Sequence, residues 1–223
     1  QALEVCDANL DKNTEQTKEN RDKLGQLRNA YTSAKAKAES LRNITERYDG
    51  YGNSIRRVME QKGKVKGIVG VVADIISVQQ KYEIAVETAL GGSIQNIVTE
   101  DEATAKKLIQ YLKQNKYGRA TFLPLNSINT GQEFHKKDAL REPGAIGLAS
   151  TLVTIQPEYQ AVAEHLLGRI LVVDHIDHAL AIARKYNYSI RIVTLEGELL
   201  TPGGAMTGGA YKNSSNLLGR KRE

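Results

Sequence analysis

The sequence predicts a mixed α/β (α+β) fold, in which two copies of one small α/β unit follow a long coiled-coil helix. Three observations predict it. A seven-residue apolar frame runs without proline from Leu3 to Tyr48, the periodicity then breaks into short strands and helices, and one strand-and-helix pattern occurs twice in that second region.

In the first region the a positions are Leu3, Leu10, Thr17, Leu24, Tyr31, Ala38 and Thr45, and the d positions are Cys6, Asn13, Asn20, Leu27, Ala34, Leu41 and Tyr48. This is a coiled-coil pattern, weakened where Asn13, Thr17 and Asn20 fall on the seam. A helix of that length is an arm of roughly 70 Å. Packed on its own globular domain it would instead be an amphipathic surface helix. Cys6 falls at d and is the only cysteine, so neither an internal disulfide nor a cysteine-rich zinc site is expected. No apolar run approaches the ~20 residues of a membrane helix, and nothing resembles a signal peptide, so a soluble protein is expected. Because the chain starts at Gln1, it could be an excised fragment.

Gly50 and Gly52 end the arm, and Asn53 is placed to cap a short helix that stops by Gly63. Ile68 to Val72 and Asn96 to Val98 have the composition of buried strands, and Tyr82 to Leu90 and Ala103 to Lys113 that of helices. Thr99 with Glu102 has the spacing of a capping box. The repeat aligns Val78 with Ile155, Tyr82 with Tyr159, Leu90-Gly91 with Leu167-Gly168, Ile97-Val98 with Val172-Val173, Thr99 with Asp174, and Thr121-Phe122-Leu123 with Arg191-Ile192-Val193. The expected organisation is an arm over 1–49, a first half over 50–125, a polar linker over 126–144, a second half over 145–212, and the start of a returning helix over 213–223.

The chemistry is constrained by what is missing. "TPGGAMTGGAYK" (201–212) packs four glycines into seven positions, and such runs either cradle phosphates or let two backbones approach. A phosphate loop needs a lysine and a hydroxyl directly after its second glycine, and neither follows here. No nucleotide-binding G-x-G-x-x-G follows a strand, no nucleophile elbow occurs, and no nucleophile, base and oxyanion set stands out. "DHIDHA" (174–179) carries His175 and His178 beside two aspartates, but it fits the first turn of a helix capped by Asp174, so no metal and no cofactor are expected.

Charge is unevenly placed. The arm is balanced, residues 51–66 carry a net +4, residues 212–223 a net +3, and the stretch between them a net −2. Lys62, Lys64, Lys66, Arg220, Lys221 and Arg222 therefore mark where the chain enters and leaves its body. Side by side they would form a basic collar suited to phosphate backbones without base readout. For any single lysine, a solvated surface remains the ordinary reading. Tyr48, Tyr51 and Tyr211 lie near the collar and could either stack on unpaired bases or pack.

The motifs "VADIISVQQKYEIAVETALGGSIQNIVTEDEATAKKLIQYLK", "ATFLPL", "LVVDHIDHALAIARK" and "RIVTLEGELLTPGGAMTGG", in that order after a coiled-coil arm, resemble the hinge domain of bacterial Smc proteins, the chromosome condensation and segregation ATPases. The likeness covers essentially residues 50–222. It implies a homodimer with Gly203, Gly204, Gly208 and Gly209 at the contact, DNA association without base specificity, and a cytoplasmic, nucleoid-associated protein. It also implies that ATP binding and kleisin-type partner subunits belong to distant heads, leaving this fragment without catalysis. One departure stands out: the outgoing helix is long here, whereas the returning one stops after "NSSNLLGRKRE".

Overall fold

A computed structural model describes residues 2–47, 51–130, 133–210 and 217–218. The chain divides into two units, Gln1–Asp49 and Gly50–Glu223. The first holds a single helix, α1 (Ala2–Arg47), as the unbroken seven-residue frame expects. Leu3, Leu10, Leu24, Leu27 and Tyr31 of that frame are all at least half exposed within the chain. The seam is therefore apolar surface that the single chain leaves in water.

The second unit begins with α2 (Asn53–Met59). Asn53 is its first helical residue and not its cap; Gly52 holds the cap position, and the Asn53 amide reaches the Tyr117 carbonyl. β1 (Ile68–Val71), the single turn α3 (Val72–Ile75), β2 (Ser77–Val78), α4 (Glu83–Leu90), β3 (Ile97–Thr99), α5 (Glu102–Gln114) and β4 (Phe122–Pro124) complete the first half. β5 (Ala145–Leu148), β6 (Val153–Thr154), α6 (Gln160–Leu167), β7 (Ile170–Val173), α7 (Ile176–Lys185) and β8 (Arg191–Thr194) follow in the same order. β9 (Leu199–Leu200) and β10 (Met206–Thr207) are extra.

The duplication is explicit in the hydrogen-bonding pattern. β1 runs antiparallel to β3, which is parallel to β4; β5 runs antiparallel to β7, which is parallel to β8. Each antiparallel pair carries a register shift at the same place, between Ile68 and Gly70 in one half and between Ala145 and Gly147 in the other. β2 and β6 then pair antiparallel with each other, Ser77 opposite Thr154. Since these are equivalent positions, the two halves are related by a local two-fold through that pair.

The register corrects the sequence alignment by one residue. Gly70 pairs with Val98 and Gly147 with Val172, so Ile97-Val98 correspond to Leu171-Val172. β4 and β8 match as expected, Phe122 with Ile192. The expected caps also move. Thr99 is the last residue of β3, and its hydroxyl donates to the Asp101 carbonyl. Asp101 is the cap of α5, its carboxylate accepting the Thr104 N–H at 2.6 Å. That bond holds the Asp101 carboxyl below its ordinary pKa. His175, not Asp174, occupies the cap position of α7, without a side-chain bond.

The second half is organised round Leu171, Val173, Ile182, Ile192 and Leu200, all at most 2% exposed. Phe134 and Ala139, from the stretch that looks like a polar linker in sequence, pack into this cluster. Beside them Glu142 accepts from Lys185 at 2.6 Å and from the Tyr186 hydroxyl at 3.0 Å. Leu217 and Leu218 are buried too, and the Leu217 N–H donates to the Glu87 carboxylate at 2.8 Å.

Candidate interaction site

The glycine-rich segment follows β9 and returns along it as β10, with Met206 opposite Leu200 and Thr207 opposite Leu199. The turn is built by Pro202, Gly203 and Gly204. Thr201 and Gly204 donate their N–H groups to the Ala205 and Thr201 carbonyls, and the Gly203 N–H donates to the Tyr188 carbonyl at 2.9 Å. Gly203 and Gly204 both have φ of +91°, the left-handed region in which any other residue is strained. Two of the four glycines are thus required by the turn itself.

The other two differ. Gly208 has ordinary φ, but a Cβ there would lie 3.1 Å from Cγ of Glu198. Gly209 has open space where a Cβ would be, but its φ of +134° strains any other residue there too. All residues from 202 to 210 are exposed, and Met206 is 53% exposed. β10 is the terminal strand of a five-stranded sheet ordered β10-β9-β8-β7-β5. It presents bare backbone and one large apolar side chain at an edge with no neighbour among the described residues. The sequence singled out the glycines and overlooked Met206.

A second edge is found in the first half. Its sheet is ordered β1-β3-β4 and stops at β4, whereas the equivalent β8 is covered by β9. β4 contains Pro124, which an edge strand tolerates.

The basic residues are only partly brought together. Lys62 donates to the Val69 carbonyl at 2.6 Å, which ties it across the turn before β1. Lys64 and Lys66 are exposed and make no ion pair among the described residues. Arg220, Lys221 and Arg222 lie outside the described residues, as do Tyr48 and Tyr211. Tyr51 is buried at 8% exposure and is a packing residue. Beside the glycine turn, Lys136, Arg169 and Arg191 line a cleft of about 510 Å³ that also borders Pro202. Those cations sit in the stretch whose net charge is −2, so the charge count along the chain hid them.

Two related α/β halves with β4 and β10 at sheet edges, and a helix with an exposed apolar seam, have the architecture of a hinge module. The chain belongs to the SMC hinge family: residues 65–183 match the family described as the SMC proteins Flexible Hinge Domain. It is 43% identical over 93% of its length to the chromosome partition protein Smc of Bacillus subtilis, and 42% identical over 94% to that of Desulfitobacterium hafniense. It spans 18% of the length of each of these relatives. Among solved structures it resembles the Geobacillus stearothermophilus SMC hinge domain, with a TM-score of 0.73 and 39% identity, covering 89% of this chain and 81% of that one. The Pyrococcus furiosus SMC hinge domain aligns with a TM-score of 0.58 and 32% identity, covering 80% and 96%. Among the described residues, no helix is long and apolar enough to cross a membrane.

Proposed function

We propose that the chain is the homodimerisation hinge of a bacterial Smc chromosome condensation and segregation protein, joining two coiled-coil arms. The observation that carries this reading is the pair of unequal sheet edges. β10 of one protomer, with Gly203, Gly204, Gly208 and Gly209 around it, meets β4 of the other, and a second such contact closes the dimer by two-fold symmetry. Bare backbone at these positions lets the strands approach, where side chains would hold the surfaces apart. The Geobacillus hinge is described as an asymmetric dimer, which supports self-association but not a particular symmetry. Sedimentation equilibrium across a concentration series tests it: the wild-type chain is a dimer, and a variant with bulkier residues at the four glycines is a monomer. A wild-type monomer overturns the reading.

The hinge also binds DNA without base specificity in this proposal, through Lys62, Lys64, Lys66 and the terminal Arg220, Lys221 and Arg222. Lys64 and Lys66 carry most of the support, being exposed and uncommitted. The alternative is a purely structural dimerisation module, favoured at Lys62, whose ammonium is already engaged with Val69. In the longer protein, ATP hydrolysis and kleisin-type subunits belong to separate heads, and this segment is not an enzyme. The protein works in the cytoplasm on the nucleoid.

A further inference from the structure

At the end of β7 three side chains converge that the proposed dimer contact does not use, although Asp174 Oδ1 also accepts the His175 N–H at 2.7 Å. Asp174 follows the strand, and α7 starts two residues later, so His175 holds its cap position and His178 falls in its first turn. His178 Nδ1 lies 2.8 Å from Asp174 Oδ1, and His175 Nε2 lies 3.9 Å from Asp174 Oδ2. The two imidazole rings face each other at a tilt of 30°, with centroids 4.2 Å apart. One donor atom from each of the three residues lies within 4.8 Å of the others. Their side chains are 37–48% exposed, so an ion can reach them from solvent.

The duplicated half shows that the fold does not require this cluster. There the equivalent positions are Glu100, Asp101 and Thr104, and Asp101 forms an ordinary helix cap with the Thr104 N–H. In the second half the His175 side chain makes no cap bond, and the Asp174 carboxylate accepts the His175 N–H while facing the His178 imidazole. Gly144 makes the room. Its φ is +82°, and a Cβ there would lie 2.2 Å from His178 Nδ1 and 2.5 Å from Asp174 Oδ1. Its carbonyl also accepts the Asp174 N–H at 2.9 Å, which fixes the backbone under the carboxylate.

Two imidazoles and one carboxylate form a donor set for a borderline divalent ion, and the carboxylate supplies the negative charge that a cation at a helix N-terminus needs. We propose that Asp174, His175 and His178 form a zinc site, holding the ion through His178 Nδ1, His175 Nε2 and an Asp174 oxygen. The remaining coordination position faces solvent, open to water or to a donor from a partner. Binding displaces any proton on the coordinating ring nitrogens into solvent, so affinity falls as the pH is lowered.

The test is calorimetric titration of the tag-free dimeric protein with zinc chloride. The expected result is one zinc per protomer, with affinity reduced about tenfold or more in His178→Ala and in His175→Ala. His135→Ala and His165→Ala, remote from the cluster in sequence, leave binding unchanged. Should His178→Ala fail to fold, as judged by its melting curve, His175→Ala carries the test, because that ring is 48% exposed. Absence of saturable zinc binding, or binding that survives both substitutions at Asp174's neighbours, overturns the assignment.

Discussion

Replacing Met206 with alanine isolates the proposed dimer contact from the stability of the protomer. The glycines are poorer probes, because any side chain at Gly203 or Gly204 strains a left-handed turn whether or not a partner is present. Met206 makes no such demand. Fully burying a methionine side chain contributes roughly 1.5–3 kcal/mol. With 53% of the residue exposed in the single chain, about half of that, roughly 1 kcal/mol, is left to be gained at an interface. A two-fold dimer contains the contact twice, so Met206→Ala weakens it by roughly 2 kcal/mol, about 30-fold in Kd. Sedimentation velocity over a dilution series reads the constant, and thermal unfolding reads the protomer. The expected outcome is a weaker dimer with little change in protomer stability. An unchanged dimer constant refutes the edge pairing through β10.

Lys64→Ala and Lys66→Ala should each lower the slope of log affinity against log salt on duplex DNA by about 0.9 for every phosphate the lysine neutralises, with no change in base preference; fluorescence anisotropy at several salt concentrations checks it, and unchanged slopes favour the purely structural alternative. Glu142 is held below its ordinary pKa of 4.5 chiefly by the Lys185 hydrogen bond, despite an opposing effect of burial. A depressed carboxylate stabilises the fold above its unfolded pKa and loses that contribution as pH falls through the folded value. Glu142→Gln should therefore flatten the decline in melting temperature below about pH 4.5, and an unaltered acid limb counts against the pairing.

The parts legible in the sequence were those written in local periodicity. α1 follows from its seven-residue frame, and the equivalence of β4 and β8 from apolar residues bounded by polar ones. The cap of α5 is ambiguous in the sequence because Thr99 and Asp101 both have side chains suited to that position. Only the path of the chain shows that two residues pass after β3 before the helix turns. The repeat slipped by one because the turn after α4, Gly91–Gln95, is longer than the link after α6. Matching "IV" to "VV" concealed that difference. Phe134 and Ala139 are hard to see as core in the sequence because Phe134 stands alone and Ala139 has only Leu140 beside it in a polar stretch. The candidate site was half legible: its glycines are a compositional signal, whereas the exposed edge, Met206 and the cations of the neighbouring cleft exist only after the strands are ordered.

With β10 and β4 as the complementary edges of the proposed dimer, a chain can in principle add copies without end, and the angle between the edges decides whether two copies close or a filament grows. The local two-fold through Ser77 and Thr154 sets that angle from within each chain. Substitutions that loosen the β2–β6 pairing would then act far from either edge, turning a closed pair into a mixture of rings and open polymers.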